Sequence, residues 1–298
     1  MHYLDRESLN ALGRDIELIV CDLDGTLLNS GKQISRANLA SIEKARGAGV
    51  FATICTGRVH TMLRLYSKTL DIQGPLIAAN GAVIFDTKSG KTLYQKTIDT
   101  EAALALLSFC GQKEIDCSVL CAEACFFMGN NAQMMGFAQY NDLAAANGLP
   151  PVRLSSLSGN FGLAHAGDIF KILIYEPVEE RQKAAVEFIE KTSGLEWTSS
   201  SKGLLDVSAI GVSKGDGVRR LAEILGVDCR RVCVFGDYYN DISMMKQAGL
   251  SIAMGNAPDD VKRAASAVTA DNDEDGVALG IEEYVLQAKR MAIRDENP

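Results

Sequence analysis

The chain has 298 residues, a hydrophobic content of 47%, a charged content of 23% and a formal net charge of −8 at pH 7. This length favours two domains over one, and the composition is typical of a soluble globular protein. Because the net charge is negative and Lys and Arg form no dense run, a nucleic-acid-binding surface is excluded. No apolar run approaches the ~18 residues needed to cross a bilayer, and the N-terminus lacks the apolar region of a signal peptide. We therefore expect a cytoplasmic protein with no nucleic-acid or membrane partner.

The eight cysteines do not form a metal-binding pattern. Cys117, Cys121 and Cys125 are evenly spaced, but they lack the short ligand pairs of zinc and iron–sulfur sites. Cys21 and Cys55 lie in apolar runs, where cysteine behaves as a small hydrophobic residue. We expect reduced and mostly buried thiols.

The first predicted strand ends in two aspartates. Its apolar residues Leu-Ile-Val-Cys are followed at once by Asp22-Leu-Asp24-Gly-Thr26. An uninterrupted apolar run predicts a buried strand of a parallel sheet, and such sheets bind ligands beyond the carboxyl ends of their strands. Two carboxylates this close repel each other unless a cation or a shared proton lies between them. With few histidines in the chain, a hard divalent cation such as Mg²⁺ is the expected solution.

The same five residues resemble the first motif of the haloacid dehalogenase (HAD) superfamily. In that family the first Asp is a phosphoryl-accepting nucleophile, so the resemblance assigns this role to Asp22. It also assigns Asp24 to proton transfer and includes Thr26 among the residues around the site. Taken alone, the pattern also fits a solvated Asp-Gly turn after a strand. The other motifs are needed to distinguish a catalytic motif from such a turn.

A second apolar run, residues 50–55, ends in Thr56-Gly57-Arg58. A hydroxyl and a glycine N–H at a strand end, just before a helix, favour phosphate binding. The arrangement resembles the second HAD motif, whose hydroxyl holds the transferring phosphoryl group. Two alternatives stay open: Thr56 caps the following helix, and Arg58 either contacts a substrate anion or lies on an exposed helix face.

Two further residues are candidates for substrate contacts. Asn80 follows a third apolar run and, with Gly81, resembles an Asn-Gly-Ala element of the Cof-type branch of the family. The same pair fits a tight turn equally well, since both residues tolerate the left-handed region. Lys171 opens a later predicted strand, where it either faces the substrate or protects a sheet edge from aggregation.

The C-terminal part of the chain contains two more motifs. Lys214 stands at a predicted helix start, where the helix dipole disfavours a cation unless an anion is near. It resembles the lysine of the third HAD motif, although an exposed lysine there would cost only about 0.3–1 kcal/mol. The predicted strand over residues 231–235, apolar after Arg231, leads into Gly236-Asp237-Tyr-Tyr-Asn240-Asp241, which resembles the fourth motif. Helix capping explains the presence of Asn240 or Asp241, but it does not explain Asp237, which lies directly at a core strand.

Between the second and third motifs the pattern changes to helices alternating with strand pairs. We predict helices over residues 100–113, 133–147 and 179–193, strands over 115–121, 124–128, 169–175, 195–200 and 203–208, and a loop over 158–167. This rhythm predicts an α+β unit. Together with the resemblance, this pattern gives the expected fold class: α/β, a doubly wound parallel sheet (a Rossmann-like HAD core) with an inserted α+β domain. We assign residues 1–86 and 209–298 to the core and 87–208 to the insert, which resembles the C2-type caps of the Cof-like phosphatases.

The resemblance implies a Mg²⁺-dependent phosphatase that hydrolyses small phosphorylated metabolites, such as sugar phosphates, through an aspartyl-phosphate. The implied catalytic residues are Asp22, Asp24 and Lys214. The implied phosphate-binding residues are Thr56, Gly57 and Lys214, and the implied metal ligands are Asp22, Asp24, Asp237 and Asp241. The residues expected at the substrate or behind the ligands are Thr26, Arg58, Asn80, Lys171 and Asn240.

Two other functions fit part of this pattern. A hexose-phosphate mutase of the same superfamily shares the C2 type of cap but needs a bisphosphate activator. A non-catalytic module that binds phosphometabolites would keep the scaffold, yet Asp24 and Lys214 are intact, and the loss of either would be expected in such a module. The oligomeric state and the physiological substrate are not determined by the sequence.

Overall fold

The computed structural model describes residues 4–128, 132–157 and 168–296, so the predicted loop at 158–167 lies outside the described residues. By its contacts the chain forms two compact units. Unit 1 comprises the chain up to Thr56, the segment Gly74–Ile77 and the chain from Ser213 onward. Unit 2 comprises Gly57–Gln73 and Ala78–Val212. Residues 57–73, 78–86 and 209–212 thus group with unit 2, whereas the boundaries we predict from the sequence keep them in the core.

The elements follow one another in this order. The strands are β1 (Leu18–Cys21), β2 (Phe51–Ile54), β3 (Pro75–Ala78), β4 (Val83–Asp86), β5 (Lys91–Gln95), β6 (Asp116–Cys121), β7 (Ala124–Phe127), β8 (Arg153–Ser156), β9 (Ile169–Tyr175), β10 (Leu195–Ser201), β11 (Leu204–Ala209), β12 (Val232–Gly236), β13 (Leu250–Ala253) and β14 (Ala267–Val268). The α-helices are α1 (Arg6–Arg14), α2 (Arg36–Gly47), α3 (Arg64–Thr69), α4 (Thr100–Gln112), α5 (Ala132–Ala146), α6 (Glu179–Lys191), α7 (Lys214–Leu225), α8 (Ile242–Gln247), α9 (Asp259–Ala264), α10 (Gly276–Ile281) and α11 (Gln287–Glu296).

Unit 1 is built on a parallel sheet with the strand order β14-β13-β12-β1-β2. All four residues of β1 are buried and apolar, as a strand covered on both faces requires. Cys21, the last residue of β1, lies opposite Phe235 of β12 and Ile54 of β2. The chain leaves β1 for β2 on one side and later returns to β12 on the other. The carboxyl end of β1 is therefore a topological switch point, where such sheets bind ligands.

A buried asparagine joins two helices of unit 1. Helix α2 begins after Ser35, whose side chain accepts a hydrogen bond from the main-chain N–H of Asn38. The Asn38 side chain in turn accepts a hydrogen bond from the N–H of Ala278 in α10 (2.9 Å) and donates to the carbonyl of Leu27 (3.5 Å). These bonds connect α2, α10 and the segment that follows the Asp22 motif.

Unit 2 contains a six-stranded sheet with the order β10-β11-β9-β6-β7-β8. Its pairs are antiparallel except β7 with β8, and its helices include α4 and α6. These two helices are joined by stacked Phe109 and Phe188 rings, whose centroids are 4.3 Å apart. Strands β4 and β5 form an antiparallel hairpin. The predicted fold class, a parallel-sheet core with an inserted α+β unit, is confirmed. Strand β8 was not predicted, because Arg-Leu-Ser-Ser shows neither an apolar run nor clear alternation.

The cysteine prediction is confirmed as well. All eight cysteines are free thiols, and seven of them are buried, with Cys229 partly exposed. Among the helices of the described residues, none combines the length and the apolar character that crossing a membrane demands.

Candidate active site

A buried lysine joins two carboxylates at the carboxyl edge of the unit 1 sheet. Asp22 follows β1 directly, and Lys214 is the first residue of α7. The Nζ atom of Lys214 donates to Oδ1 of Asp22 and to Oδ1 of Asp241, each at 2.5 Å. The lysine is only 1% exposed. The alternative of an exposed lysine at a helix start is therefore wrong, and Lys214 is held by two anionic groups.

The loop after β12 fixes the other carboxylates. Asp241 uses its second oxygen, Oδ2, to accept the main-chain N–H groups of Asp237 (2.9 Å) and Tyr238 (3.0 Å). The hydroxyl of Thr26 donates to Oδ1 of Asp237 at 2.8 Å, and Thr26 itself is fully buried. Asp237 is thus held by the Thr26 hydroxyl of the first motif, which bonds its side chain, and by the Asp241 carboxylate of the fourth, which bonds its main-chain N–H.

Asp22, Asp237 and Asp241 form a cluster that suits a metal ion. Each offers a carboxylate oxygen, and the three oxygens lie within 4.8 Å of one another. A Cβ atom on Gly25 would fall 2.4 Å from Oδ2 of Asp237, so only glycine leaves room for this carboxylate. Three carboxylates against the single ammonium of Lys214 leave two excess negative charges when all are ionised. Oxygen donors with an excess of negative charge fit a hard divalent cation.

The electrostatics of the cluster agree with this fit. Burial raises the pKa of Asp22 well above its ordinary value, although Lys214 acts in the opposite direction. Burial and the neighbouring Asp241 raise the pKa of Asp237 to about 7. Burial disfavours the charged form of Lys214, but attraction to Asp22 and Asp241 outweighs it and raises the pKa of the lysine. Without a cation, the carboxylates therefore tend to retain a proton.

Asp24 lies in a more open environment than Asp22. Its side chain is 37% exposed, and Lys32 Nζ donates to its Oδ1 at 2.9 Å. The turn that carries it is fixed from a distant segment, since the Asn256 side chain donates to the carbonyl of Gly25 at 2.9 Å. Neither Lys32 nor Asn256 was predicted from the sequence. A Gly-Asn pair after a core strand was the available signal for Asn256.

Two further predicted residues also lie in unit 1. Thr56 is buried, and its N–H donates to the carbonyl of Ile77 at 3.1 Å. The helical turn that follows begins at His60 with Val59 as its N-cap residue, so Thr56 is not the cap and that alternative is wrong. Asn240 is buried, and its main-chain carbonyl accepts a hydrogen bond from the Ser243 hydroxyl at 3.1 Å.

The remaining predicted residues belong to unit 2. Arg58 is half-buried, with its guanidinium 5.1 Å from the centre of the Tyr66 ring, so it does not lie on an exposed face. Asn80 has a positive φ of 55°, as the turn interpretation expects, and its side chain lies beside Gly57. Lys171 is buried in β9, a central strand between β11 and β6, so the edge-protection alternative is wrong.

The sequence matches the haloacid dehalogenase-like hydrolase family over residues 19–281. The chain therefore belongs to this family, and the resemblance seen in the four motifs is confirmed.

Several relatives are phosphatases by name. The chain is 32% identical to phosphatase YwpJ of Bacillus subtilis, over 88% of this chain and 98% of that protein. It is 32% identical to the B. subtilis 5-amino-6-(5-phospho-D-ribitylamino)uracil phosphatase YwtE, over 91% and 98%. Identity to the Escherichia coli pyridoxal phosphate phosphatase YbhA is 28%, over 90% and 98%. The prediction of an enzyme of the HAD superfamily is thereby confirmed.

Solved structures support the same fold. A haloacid dehalogenase-like hydrolase from B. subtilis superimposes with a TM-score of 0.79 at 30% identity, covering 90% of this chain and 99% of that one. The HAD subclass IIB sugar phosphatase BT4131 gives a TM-score of 0.76 at 25% identity, covering 90% and 98%.

Proposed function

We propose that this chain is a Mg²⁺-dependent phosphatase that hydrolyses small phosphorylated metabolites through an aspartyl-phosphate on Asp22. The observation that carries the proposal is the position of Lys214 between Asp22 and Asp241, in the same cluster as Asp237. A buried cation against a nucleophilic carboxylate, at the switch point of a parallel sheet, suits phosphoryl transfer.

The reaction divides between the two aspartates of the first motif. An oxygen of Asp22 attacks phosphorus, and the bond from phosphorus to the leaving oxygen breaks. Asp24 donates its proton to that leaving oxygen and then takes a proton from the water that hydrolyses the aspartyl-phosphate. The partly exposed position of Asp24 supports this role, because the water that hydrolyses the aspartyl-phosphate in the second step has to reach it.

The other residues would bind the cation and the phosphoryl oxygens. Asp22, Asp237 and the main-chain carbonyl of Asp24 would hold Mg²⁺, which when bound supplies positive charge to the transferring phosphoryl group. Asp241 already accepts three hydrogen bonds. We therefore assign it chiefly to positioning Lys214 and Asp237, with Asn240 in the same loop.

Phosphate binding would fall to Lys214, Thr56 and Gly57, as the resemblance implies. The burial of Lys214 strengthens its attraction for anionic oxygens. We also propose that residues 87–208 form the cap domain, and that residues 1–86 and 209–298 form the catalytic core.

The substrate class is proposed from the relatives. Two of them are named for a phosphoribitylamino-uracil and for pyridoxal phosphate, and one structural neighbour is named as a sugar phosphatase. The substrates in these three names are all small phosphorylated compounds. We therefore place the substrate among sugar phosphates and similar metabolites.

The test measures phosphate release from p-nitrophenyl phosphate with and without Mg²⁺, for the wild type and for Asp22→Asn. We expect Mg²⁺-dependent release that Asp22→Asn abolishes. Asp24→Ala should still give a stoichiometric burst of p-nitrophenol but slow turnover, because an activated leaving group needs no proton. Full turnover by Asp24→Ala would contradict the role of Asp24.

Two outcomes would favour the alternatives. A mutase would release little phosphate and would need a sugar bisphosphate for activity. A binding module would release no more phosphate than Asp22→Asn from any member of a panel of phosphorylated metabolites.

A further inference from the structure

The six-stranded sheet of unit 2 carries polar side chains on the face opposite helix α4. Cys117 of β6 interacts with Cys110 of α4 and pairs in register with Ile174 of β9. Side chains alternate along a strand, so Lys171 projects from the other face. Asp206 of β11 lies opposite Leu173, two residues from Lys171, and therefore shares its face.

Lys171 and Asp206 form a buried ion pair on that polar face. Nζ of Lys171 lies 2.5 Å from Oδ1 of Asp206, and the two residues are 3% and 1% exposed. Oδ2 of Asp206 is buried too, yet within the described residues it has no hydrogen-bond partner. Leaving a buried charged oxygen unsatisfied is unfavourable, and a buried ion pair is itself weak evidence for a stabilising role. The unsatisfied oxygen points instead to a hydrogen-bond donor from a ligand.

The ion pair adjoins a residue of the second motif. Nζ of Lys171 and Oδ1 of Asn80 lie 3.0 Å and 3.1 Å from the point that a Cβ atom on Gly57 would occupy. Glycine at this position keeps the space beside the lysine open. Gly57 is itself one of the residues that we assign to phosphate binding, so the pair lies beside a proposed phosphate-binding position within unit 2.

We propose that the Lys171–Asp206 pair determines specificity by binding a hydroxyl group of the substrate's leaving group. The inference rests on the proposed phosphatase function. A hydroxyl can donate to Oδ2 of Asp206 and accept from Nζ of Lys171 at the same time. A carboxylate or an ammonium on the leaving group would be attracted by one member of the pair and repelled by the other, because the pair carries no net charge. Only a group that both donates and accepts can bond to both members, so the pair favours neutral, hydroxylated leaving groups.

The experiment compares two kinds of substrate on one variant. We measure kcat/KM for p-nitrophenyl phosphate and for the best of glucose 6-phosphate, ribose 5-phosphate and glycerol 3-phosphate, and take the ratio of the hydroxylated substrate to the aryl substrate. Asp206→Asn should lower this ratio at least tenfold. The matched control is Glu176→Gln, which neutralises a buried carboxylate just after β9, the strand that carries Lys171. Glu176 is paired with Arg181, and its replacement should leave the ratio within twofold. An unchanged ratio in Asp206→Asn would overturn the proposal.

A second variant separates a loss of specificity from a structural defect caused by an unpaired buried charge. The double variant Lys171→Met/Asp206→Leu removes both charges at similar volume, which buried ion pairs often tolerate. Its ratio should fall as far as that of Asp206→Asn. A parallel fall of kcat/KM for both substrates would show a structural role and would overturn the proposal.

Direct binding separates this inference from the phosphatase proposal. If the wild type releases phosphate from no substrate, the phosphatase proposal fails, and the pair is tested by titration calorimetry with glucose 6-phosphate on Asp22→Asn. Adding Asp206→Asn to that variant should weaken binding at least tenfold, whereas adding Glu176→Gln should not. Equal affinities, or no binding to Asp22→Asn, would overturn the role of the pair.

Discussion

Lys214 and Asp22 are 192 positions apart in the chain, yet Nζ of the lysine lies 2.5 Å from Oδ1 of the aspartate. Both side chains are buried, and Asp241 completes the triad from the loop after β12. Because removal of one member of a buried ion pair leaves an uncompensated charge, the lysine should contribute to stability as well as to catalysis.

We therefore predict that Lys214→Met lowers the free energy of unfolding by about 3–5 kcal/mol and reduces phosphatase activity at least 100-fold. Urea unfolding without Mg²⁺ measures the first effect, and p-nitrophenol release measures the second. Lys246→Met, at an exposed position of α8, should change stability by no more than about 0.5 kcal/mol. Equal unfolding midpoints for the two variants would contradict a buried, charge-paired Lys214.

Gly25 offers a test of the metal site that separates backbone strain from steric contact. Gly25 and Gly49 share a φ of +82°, but a Cβ atom on Gly25 would fall 2.4 Å from Oδ2 of Asp237, whereas one on Gly49 would have nothing within 4 Å. Both Gly25→Ala and Gly49→Ala should lose about 1 kcal/mol of stability from the left-handed backbone. Only Gly25→Ala should also weaken Mg²⁺ binding, by at least tenfold.

Isothermal titration of Mg²⁺ into the two glycine variants makes this comparison. If Gly25→Ala binds Mg²⁺ as tightly as Gly49→Ala does, Asp237 is not a ligand of the cation.

The pKa of Asp237 predicts how the metal-free protein responds to pH. Its value is raised from an ordinary 3.8 to about 7, so the folded state binds a proton more tightly than the unfolded state. The resulting stabilisation is fully present below pH ~4 and is lost as the pH rises through about 7. A cation competes with that proton, so Mg²⁺ should raise the melting temperature more at pH 8 than at pH 6.

Thermal unfolding in EDTA and in Mg²⁺ at both pH values tests this prediction. In Asp237→Asn, which cannot ionise at this position, the difference between the two pH values should shrink. A larger Mg²⁺ effect at pH 6 than at pH 8 would contradict the assignment.

The sequence predicted the unit 1 site better than the contacts of unit 2. Asp22 and Asp237 follow uninterrupted apolar strands, so their positions at one edge of the sheet follow from general rules for parallel sheets. Lys171 was ambiguous for a physical reason. A lysine in a strand is usually at an edge, and only the strand order shows that β9 is central. The tertiary structure then shows that Asp206 pairs with the lysine.

Asp206 itself was not identified, because it lies in an alternating strand with no motif around it. Its role depends on a partner 35 positions away, and such a pairing leaves no local signal in the sequence. Strand β8 was missed for the same reason, because its pairing with β7 rather than a local pattern determines it. The Gly-Asn pair marks Asn256 as a turn residue, but it does not show that the side chain bonds to Gly25.

The asparagine that joins α2 to α10 should matter for stability. Asn38 is 1% exposed, and its side chain bonds to the N–H of Ala278 and to the carbonyl of Leu27. Asn38→Ala leaves both main-chain groups buried without this partner, which should lower the free energy of unfolding by about 2–4 kcal/mol. Since Asn38 touches none of the proposed ligands, Mg²⁺ affinity of the folded variant should stay within threefold of the wild type.

The control is Asn147→Ala, at an exposed position after α5. It should change the free energy of unfolding by less than about 1 kcal/mol when both variants are compared by urea unfolding. A loss in Asn38→Ala no larger than in Asn147→Ala would show that these two bonds do not hold the helices together.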